Sequence, residues 1–384
     1  MYDEQASQRA LDALAIVDTP ADERVDRIVR LAAELFRVPM VGVTLLDRER
    51  QWRKSQIGLG PEAARQDSFC DVTARRDRTV VVEDATVDPD FANNPFVVGD
   101  PNLRFYAGHP LHAPGGEPVG TLCILDTEAR SLTADERGLL EELAGWVQAE
   151  ISRELEIDQA ALVQRALLPR EVPEVDGYRI AASAVGPAQL MGDFYDVRAL
   201  SEHLRVVLAD VMGKGIGPAI IAASVRASLR TSPERSILRA MDDVDTLLVE
   251  DLAGSSSFVT SFYVDVDLKS GDFSYVDAGH GLGYILRRDD TWSRLRTTGL
   301  PLGLGLGDVG DLRAEANDRL EPGDILMCCS DGLLDVLDED APLDHVRRVV
   351  RDRGIEGAAQ EASRLGRTRR AIDDVTVVLV ERLG

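Results

Sequence analysis

Short acidic turns beside apolar runs constrain the fold of this chain more than any other feature. Asp193 follows a glycine, and Asp210 follows the apolar run VVLA at 206–209. Glycines then occupy alternate positions in MGKGIG (212–217), before a helical segment that starts near Pro218. Such a pattern is typical of a strand that ends in a tight turn and passes into a helix. We therefore expect both carboxylates to lie at strand ends and to face a cleft.

Two more acidic turns occur far downstream. Asp331 follows the apolar run 325–329 and precedes a glycine, and Asp373 and Asp374 precede the strand-like segment 375–380. Taken singly, an aspartate before glycine is more often a turn or helix-cap residue. Together, four strand-end aspartates predict a carboxylate site for hard cations such as Mg²⁺ and Mn²⁺. A two-metal site of this kind activates water for attack on phosphorus.

Six short motifs, in one order, resemble a known family. They are GDFYD (192–196), LADVMGKG (208–215), DAGH (277–280), LPLGL (300–304), GDIL followed by SDGL (323–333), and DDVTVV (373–378). From about Asp176 to Gly384 the chain resembles the SpoIIE-like branch of the PPM metal-dependent serine/threonine phosphatases. This resemblance implies an α-β-β-α sandwich.

The same resemblance implies the ligands of two Mn²⁺ or Mg²⁺ ions. These catalytic and metal-binding positions are Asp193, Asp210, Asp331, Asp373 and the backbone carbonyl of Val211. Asp373 is preferred because the first acidic position of the motif is the ligand in the family, and its neighbour Asp374 stays an alternative. Met191 replaces the first glycine of the family's GGDFYD, which removes no ligand but can alter the turn.

Other residues near these motifs have two interpretations each. We expect Gly213, Gly215 and Gly217 to allow positive φ angles and a close approach of the backbone to a metal–phosphate site. Lys214 could steer an anionic substrate or simply be solvated. His280 could act as a general acid, but the family's pattern favours a structural role that holds a turn against the sheet.

The N-terminal part resembles a GAF domain. The resemblance runs from about Asp18 to Val147 and rests on DTPADERVDRIVRLAAELFRVPMVGVTLLDRERQW, DSFC, DPDFANNPFV, LRFYAGHPL and GTLCILD. It implies an antiparallel sheet with helices that binds a small molecule or dimerises. The ligand is not identifiable, and four aromatic residues either wall a pocket or fill the core: Trp52, Phe69, Phe105 and Tyr106.

We therefore expect an α+β chain with four parts. These are an N-terminal helix (1–17), a GAF-like sensor domain (18–136), a linking helix (137–169) and a phosphatase-like domain (170–384). Thr133 and Glu136 form a capping-box pattern at the start of the helical region. A long apolar stripe then predicts a signalling helix paired with a second copy, the alternative being a helix packed on its own GAF domain. The stripe consists of Leu140, Leu143, Val147, Ile151, Leu155, Leu162 and Ala166.

Composition excludes several classes of protein. A net charge of −24 and a pI near 4.6 argue against binding to nucleic acid or to an anionic membrane. No signal peptide opens the chain and no apolar stretch reaches the ~20 residues of a membrane span, so we expect a cytoplasmic protein. The four cysteines form no C-x-x-C pair and are expected to be ordinary reduced thiols.

The leading functional hypothesis is a serine/threonine phosphatase that a GAF-like domain regulates. The resemblance implies that the substrate is a phosphorylated anti-sigma-factor antagonist in a bacterial partner-switching pathway. One alternative is a ligand-sensing scaffold whose phosphatase-like half is catalytically silent and only binds a partner. Hydrolysis of a phosphodiester or nucleotide is disfavoured, because the chain is acidic and has no nucleotide-phosphate loop.

Overall fold

The computed structural model describes residues 2–169, 171–231, 236–252, 257–306, 312–337, 341–368 and 371–384. The chain divides into two compact units, Met1–Glu156 and Ile157–Gly384, which are described separately here. Within the described residues, no helix combines the length and the apolar character that crossing a membrane requires.

The first unit is built on a six-stranded antiparallel sheet. Its elements, in chain order, are α1 (Glu4–Leu14), α2 (Glu23–Phe36), β1 (Met40–Leu46), β2 (Arg50–Ile57), β3 (Glu62–Ala64), α3 (Phe69–Arg76), β4 (Val80–Val82), α4 (Pro95–Val98), β5 (Phe105–His112), β6 (Pro118–Asp126) and the first part of α5 (Ala134–Leu167). The strands lie in the order β3-β2-β1-β6-β5-β4, with antiparallel neighbours throughout. The predicted antiparallel sheet with helices is confirmed.

Two separate apolar cores cover the two faces of this sheet, because successive side chains of a strand point to opposite faces. Phe105 packs with α1, α2 and α5, and Trp52 lies partly buried beside that core. Tyr106, the next residue, packs on the other face with α3 and α4. There Phe69 stacks on Phe91 with ring centroids 4.0 Å apart. The four aromatic residues singled out in the sequence therefore divide between the faces, with Trp52 and Phe105 on one and Phe69 and Tyr106 on the other.

Helix α5 begins with the capping box that the sequence predicts. The Thr133 amide donates to Glu136 Oε2 at 2.8 Å, and the Glu136 amide donates to Thr133 Oγ1 at 3.2 Å. The apolar stripe that follows is buried in the core of the first unit through Leu140, Leu143, Val147 and Ile151. This part of the helix therefore packs on its own unit, the alternative that the sequence left open, and pairing with a second copy stays a prediction.

The buried face of α5 changes in the part that belongs to the second unit. Ala161 is buried against Leu190 and Ala219, whereas Leu162 is 65% exposed. Leu162, which the sequence places on the same stripe, therefore lies outside the buried face of the second unit. A helix has 3.6 residues per turn, so residues at a seven-residue spacing drift gradually around its surface. In this part of α5 the buried contact is therefore made by Ala161, the residue before Leu162.

The second unit contains two five-stranded sheets. Its remaining elements are β7 (Tyr178–Val185), β8 (Phe194–Ala199), β9 (His203–Val211), α6 (Ile216–Arg230), α7 (Ile237–Asp251), β10 (Val259–Asp267), β11 (Asp272–Ala278), β12 (Gly283–Leu286), β13 (Trp292–Arg294), β14 (Ala316–Arg319), β15 (Ile325–Cys329), α8 (Asp331–Leu337), α9 (Pro342–Gly366) and β16 (Val375–Arg382). Sheet I has the order β14-β11-β10-β9-β8, and sheet II has the order β13-β12-β15-β16-β7.

These elements stack in four layers. A central core fills the space between the sheets, with Phe262 and Leu208 from sheet I and Leu326 and Val378 from sheet II. Helices α6 and α7 cover the outer face of sheet I, and α8 and α9 cover that of sheet II. The predicted α-β-β-α sandwich is confirmed.

Candidate metal centre

Strand register brings Asp193 and Asp210 to one edge of sheet I. Asp193 directly precedes β8, and Asp210 is the second-last residue of β9. In the antiparallel ladder Phe194 pairs with Ala209. The residue before Phe194 therefore lies opposite the residue after Ala209, which places the two carboxylates side by side.

Sheet II contributes the other acidic residues at its own strand ends. Asp331 starts α8 just after β15, and Asp373 and Asp374 precede β16. The amide of Ser330 donates to Thr376 O at 2.9 Å, and its hydroxyl donates to Asp374 O at 3.0 Å. These bonds tie the turn of Asp331 to the turn of Asp373 and Asp374.

Asp193 is the most deeply buried member of the group. It is 3% exposed, and its Oδ2 has no hydrogen-bond partner among the residues that the structure describes. Burial raises the pKa of Asp193 well above its ordinary value, and the charges of Asp210 and Asp374 raise it further. An ionised carboxylate at this position therefore lacks a compensating positive charge.

The pKa values of the neighbouring carboxylates are raised by the same two causes, burial and the charge of nearby carboxylates. Burial raises the pKa of Asp210 to about 6, with further contributions from Asp331, Asp373 and Asp374. Burial also raises the pKa of Asp331, and the charge of Asp373 adds to the effect. Mutual repulsion between carboxylates is relieved when a cation binds between them.

Asp373 and Asp374 have different surroundings although they are adjacent. Asp374 is buried, and its Oδ2 accepts hydrogen bonds from the amides of Gly192 at 2.7 Å and Asp193 at 3.3 Å. Asp373 is half-exposed and forms an ion pair with Lys214, with Nζ 3.2 Å from Oδ2. The Asp374 carboxylate thus holds the turn that carries Asp193, whereas that of Asp373 faces an exchangeable ammonium group.

The glycine turn after Asp210 adopts backbone angles that other residues avoid. Gly213 and Gly215 have φ values of 101° and 95°. Gly217 has no positive φ and lies inside α6, so the expectation of a positive φ at this position was wrong. A Cβ on Gly192 would lie 2.9 Å from Val211 O, so this glycine leaves room for the carbonyl proposed as a ligand.

The turn before Asp193 is held by α5. Met191 is buried, and its backbone amide donates to Gln164 Oε1 at 2.9 Å while its carbonyl accepts from Gln164 Nε2 at 2.6 Å. Met191, the residue that departs from the family pattern, is thus accommodated through its backbone. Sequence analysis did not identify Gln164, since a glutamine on a polar helix has no distinguishing local pattern.

His280 occupies a structural position. Its Nε2 lies 2.8 Å from Cys329 O and its Nδ1 lies 3.2 Å from Thr260 Oγ1, while its backbone amide donates to Asp277 Oδ1 at 2.8 Å. Burial lowers the pKa of the imidazole to about 4, so the ring is neutral near pH 7. A neutral ring whose two nitrogens face protein oxygen atoms supports the structural interpretation over a general acid.

The donor set suits a hard divalent cation. The candidate ligands at this edge are oxygen atoms, and Asp193 supplies a buried one without a partner among the described residues. In the described parts of the chain, no three acidic, histidine or cysteine side chains are already drawn together at ligand distances. The carboxylates are therefore neighbours that a cation would have to draw together.

Comparison with known families assigns both units. Residues 201–383 match the family model of stage II sporulation protein E (SpoIIE), and residues 20–151 match that of the GAF domain. The SiaA-PP2C domain of Pseudomonas aeruginosa has a similar fold, with a TM-score of 0.52, 20% sequence identity, and coverage of 62% of this chain and 99% of that one.

Two curated relatives are similar over part of their length. Phosphoserine phosphatase RsbU of Bacillus subtilis is 32% identical over 201 residues, which cover 52% of this chain and 58% of RsbU. Cyclic di-GMP phosphodiesterase PA2567 of Pseudomonas aeruginosa is 38% identical over 151 residues, which cover 39% of this chain and 26% of that protein. The chain thus matches less than two thirds of either relative.

The two-sheet sandwich with aspartates at one edge defines the second unit as a domain of the PPM (PP2C-type) phosphatase fold. Along the chain, a region that matches the GAF model therefore precedes a region that matches the SpoIIE model.

Proposed function

We propose that the second unit is a metal-dependent protein serine/threonine phosphatase. The observation that carries this proposal is the buried, unpartnered Oδ2 of Asp193 at an edge where aspartates of both sheets are neighbours. The similarity to a phosphoserine phosphatase supports hydrolysis of a phosphate monoester.

Each residue of the centre has a role in this proposal. Two Mn²⁺ or Mg²⁺ ions would be held by Asp193, Asp210, Asp331, Asp373 and the carbonyl of Val211. Such ions, when bound, polarise a phosphoryl oxygen and lower the pKa of water. The protein excludes water from Asp193 by burial and keeps the carboxylates within reach of each other by strand register.

Two residues assist without being ligands. Asp374 orients the turn of Asp193 through its two backbone hydrogen bonds. Lys214 neutralises Asp373 in the absence of metal, and its ammonium group becomes available to a phosphate when a metal ion takes its place.

The substrate that we propose is a phosphoserine or phosphothreonine on an anti-sigma-factor antagonist. Similarity to the SpoIIE-like branch and to RsbU supports this assignment. The proposed pathway is partner switching, in which dephosphorylation releases the antagonist to bind its anti-sigma factor.

Regulation would pass from the GAF domain through α5. Within the second unit, Ala161 of α5 packs on Leu190 and on Ala219 of α6, and Gln164 holds Met191. Movement of this helical segment would reposition α6 and the glycine turn, and therefore Asp210 and Asp193. Affinity for metal and phosphatase activity would then rise together.

The test is hydrolysis of an aryl phosphate by the full chain with Mn²⁺, with Mg²⁺ and with chelator, alongside calorimetry of Mn²⁺ binding. Asp193→Asn and Asp331→Asn should each lower metal-dependent turnover at least about a hundredfold. Asp272→Asn is the matched control, since this exposed carboxylate pairs with Arg319 at the far end of sheet I. It should leave turnover unchanged.

Three outcomes separate the hypotheses. Metal-dependent turnover that both variants lose supports the phosphatase. Mn²⁺ binding without turnover in the wild-type chain favours the silent, partner-binding domain. Turnover that survives in both variants would show that the reaction occurs elsewhere, and the proposed centre would be wrong.

A further inference from the structure

Two cysteines that are distant in sequence lie side by side in the first unit. Cys70 belongs to α3 and Cys123 to β6, and their sulfur atoms are 3.6 Å apart. Both side chains are buried, and both thiols are free. The separation is that of a thiol–thiol contact, and a small relative movement of α3 and β6 would bring the sulfur atoms to the ~2.05 Å of a disulfide.

Both strands next to β6 place a glycine beside Cys123. In the sheet register Cys123 lies between Gly42 of β1 and Gly108 of β5. A Cβ on Gly42 would lie 3.5 Å from Cys123 Sγ, and a Cβ on Gly108 would collide with the Tyr106 hydroxyl. The Tyr106 hydroxyl therefore fills the space beside Gly108, and the Cys123 sulfur lies 3.4 Å from Gly42 O and 3.6 Å from Cys70 Sγ.

Both cysteines line a cavity of about 300 Å³. Its walls also include Arg53, Phe96 and Tyr106. Since one water occupies about 30 Å³ of the liquid, the cavity admits hydrogen peroxide or a small organic hydroperoxide. The two thiols are therefore buried but within reach of a small oxidant.

The two thiols are electrostatically unequal. A hydrogen bond with Cys123 and, further down, the charge of Arg53 lower the pKa of Cys70 to about 6 against the effect of burial. The pKa of Cys123 is raised by the proximity of Cys70 and by burial. The hydrogen bond between the two sulfur atoms thus favours the thiolate at Cys70 and the protonated thiol at Cys123.

The remaining two cysteines lack these features. Cys328 and Cys329 are adjacent in β15 and belong to different cores, on opposite faces of sheet II. Burial raises the pKa of Cys328 to about 12 and that of Cys329 still further. Cys328 and Cys329 therefore serve as unreactive control cysteines within the same protein.

We propose that Cys70 and Cys123 form a peroxide-reactive dithiol site in the GAF domain. The Cys70 thiolate attacks one peroxide oxygen, the O–O bond breaks, and the leaving oxygen takes up a proton as water, which leaves a sulfenic acid. Cys123 sulfur then attacks the Cys70 sulfur, and the sulfenic hydroxyl leaves with the thiol proton as a second water. Two thiols are oxidised to one disulfide while one hydrogen peroxide is reduced to two waters.

The oxidation would alter the wall of the cavity. Closing the gap between the sulfur atoms draws α3 toward β6, where Phe69 stacks on Phe91 and lies 5.2 Å from the Tyr106 ring. A peroxide signal would thus change the shape of the cavity and the packing of one face of the sheet. This consequence requires no ligand other than the oxidant.

The experiment treats the full chain with hydrogen peroxide at pH 7, then counts thiols after denaturation and maps peptides by mass spectrometry. We expect the four thiols to fall by half, a Cys70–Cys123 linked peptide, and full recovery with dithiothreitol. Cys123→Ser should accumulate a sulfenic acid at Cys70 that dimedone traps, whereas Cys70→Ser should react at least about tenfold more slowly. Cys328→Ser, the matched control, should still form the same linked peptide.

Retention of four thiols, at peroxide concentrations that oxidise free cysteine under the same conditions, would overturn the proposal. Disulfides that include Cys328 or Cys329, or that join two chains, would also overturn it. Peptide mapping of the wild-type chain decides the question even where a serine variant fails to fold.

Discussion

Replacement of Gln164 by alanine removes both hydrogen bonds that α5 makes to the backbone of Met191. Met191 is buried, so its amide and carbonyl both lose their partner. Each such loss costs roughly 1 to 3 kcal/mol, because a buried polar group is left unsatisfied, and we expect about 2 to 4 kcal/mol for the pair. For a domain of this size that corresponds to a Tm lower by about 5 to 10 °C.

The same substitution should weaken metal binding. Met191 directly precedes Gly192 and Asp193, so loss of its hydrogen bonds loosens the turn that carries the most buried carboxylate. If about 1.4 kcal/mol of the loss acts on the orientation of Asp193, the Kd for Mn²⁺ rises about tenfold. Calorimetry with Mn²⁺ and thermal unfolding in chelator measure the two effects separately.

Gln189→Ala is the matched control for Gln164→Ala. Gln189 also reaches α5, through a hydrogen bond of 2.7 Å from Nε2 to Asp158 Oδ1, but this bond is exposed and involves no backbone group of the turn. We expect changes below about 0.5 kcal/mol in unfolding and in Mn²⁺ binding. A Gln164→Ala protein that loses thermal stability as expected, yet binds Mn²⁺ like the wild type, would refute coupling between α5 and the centre.

Two further pairs of substitutions test the packing. Gly332→Ala should destabilise the second unit by at least about 1 to 3 kcal/mol in chemical unfolding, because the new Cβ would lie 2.2 Å from Asp374 O. Gly217→Ala should be neutral or stabilising by up to about 1 kcal/mol, since no heavy atom lies within 4 Å and the position is helical. Leu143→Ala should cost about 2 to 5 kcal/mol in the first unit, whereas exposed Leu162→Ala should cost less than about 0.5 kcal/mol. Equal effects within either pair would contradict the packing described.

Local patterns were sufficient to predict where the acidic turns lie. Asp210 and Asp331 each end an apolar run that reads as a strand, and the glycines beside them are turn residues. The sandwich could be anticipated through the resemblance that the six short motifs carry. These features depend on neighbours only a few positions away.

Other features depend on contacts that no local pattern encodes. Asp373 and Asp374 have the same sequence context, and only the packing of the Asp193 turn assigns the second one to backbone hydrogen bonds. The stripe on α5 has the same period whether it covers its own sheet or a second helix. The Cys70–Cys123 pair requires α3 to lie over one face of β6, which follows from the tertiary fold alone.

The position of β16 has a consequence for how the protein is made. This strand lies between β15 and β7, so the last strand of the unit to be synthesised is inserted beside the first. During translation Asp193 and Asp210 emerge long before Asp373. Until β16 has been made, β15 and β7 each keep an unpaired edge in sheet II. With Asp373 as a ligand, the proposed metal centre is complete only when the segment before β16 has been made. A chain that stops before β16 leaves an unclosed sheet that is prone to aggregation.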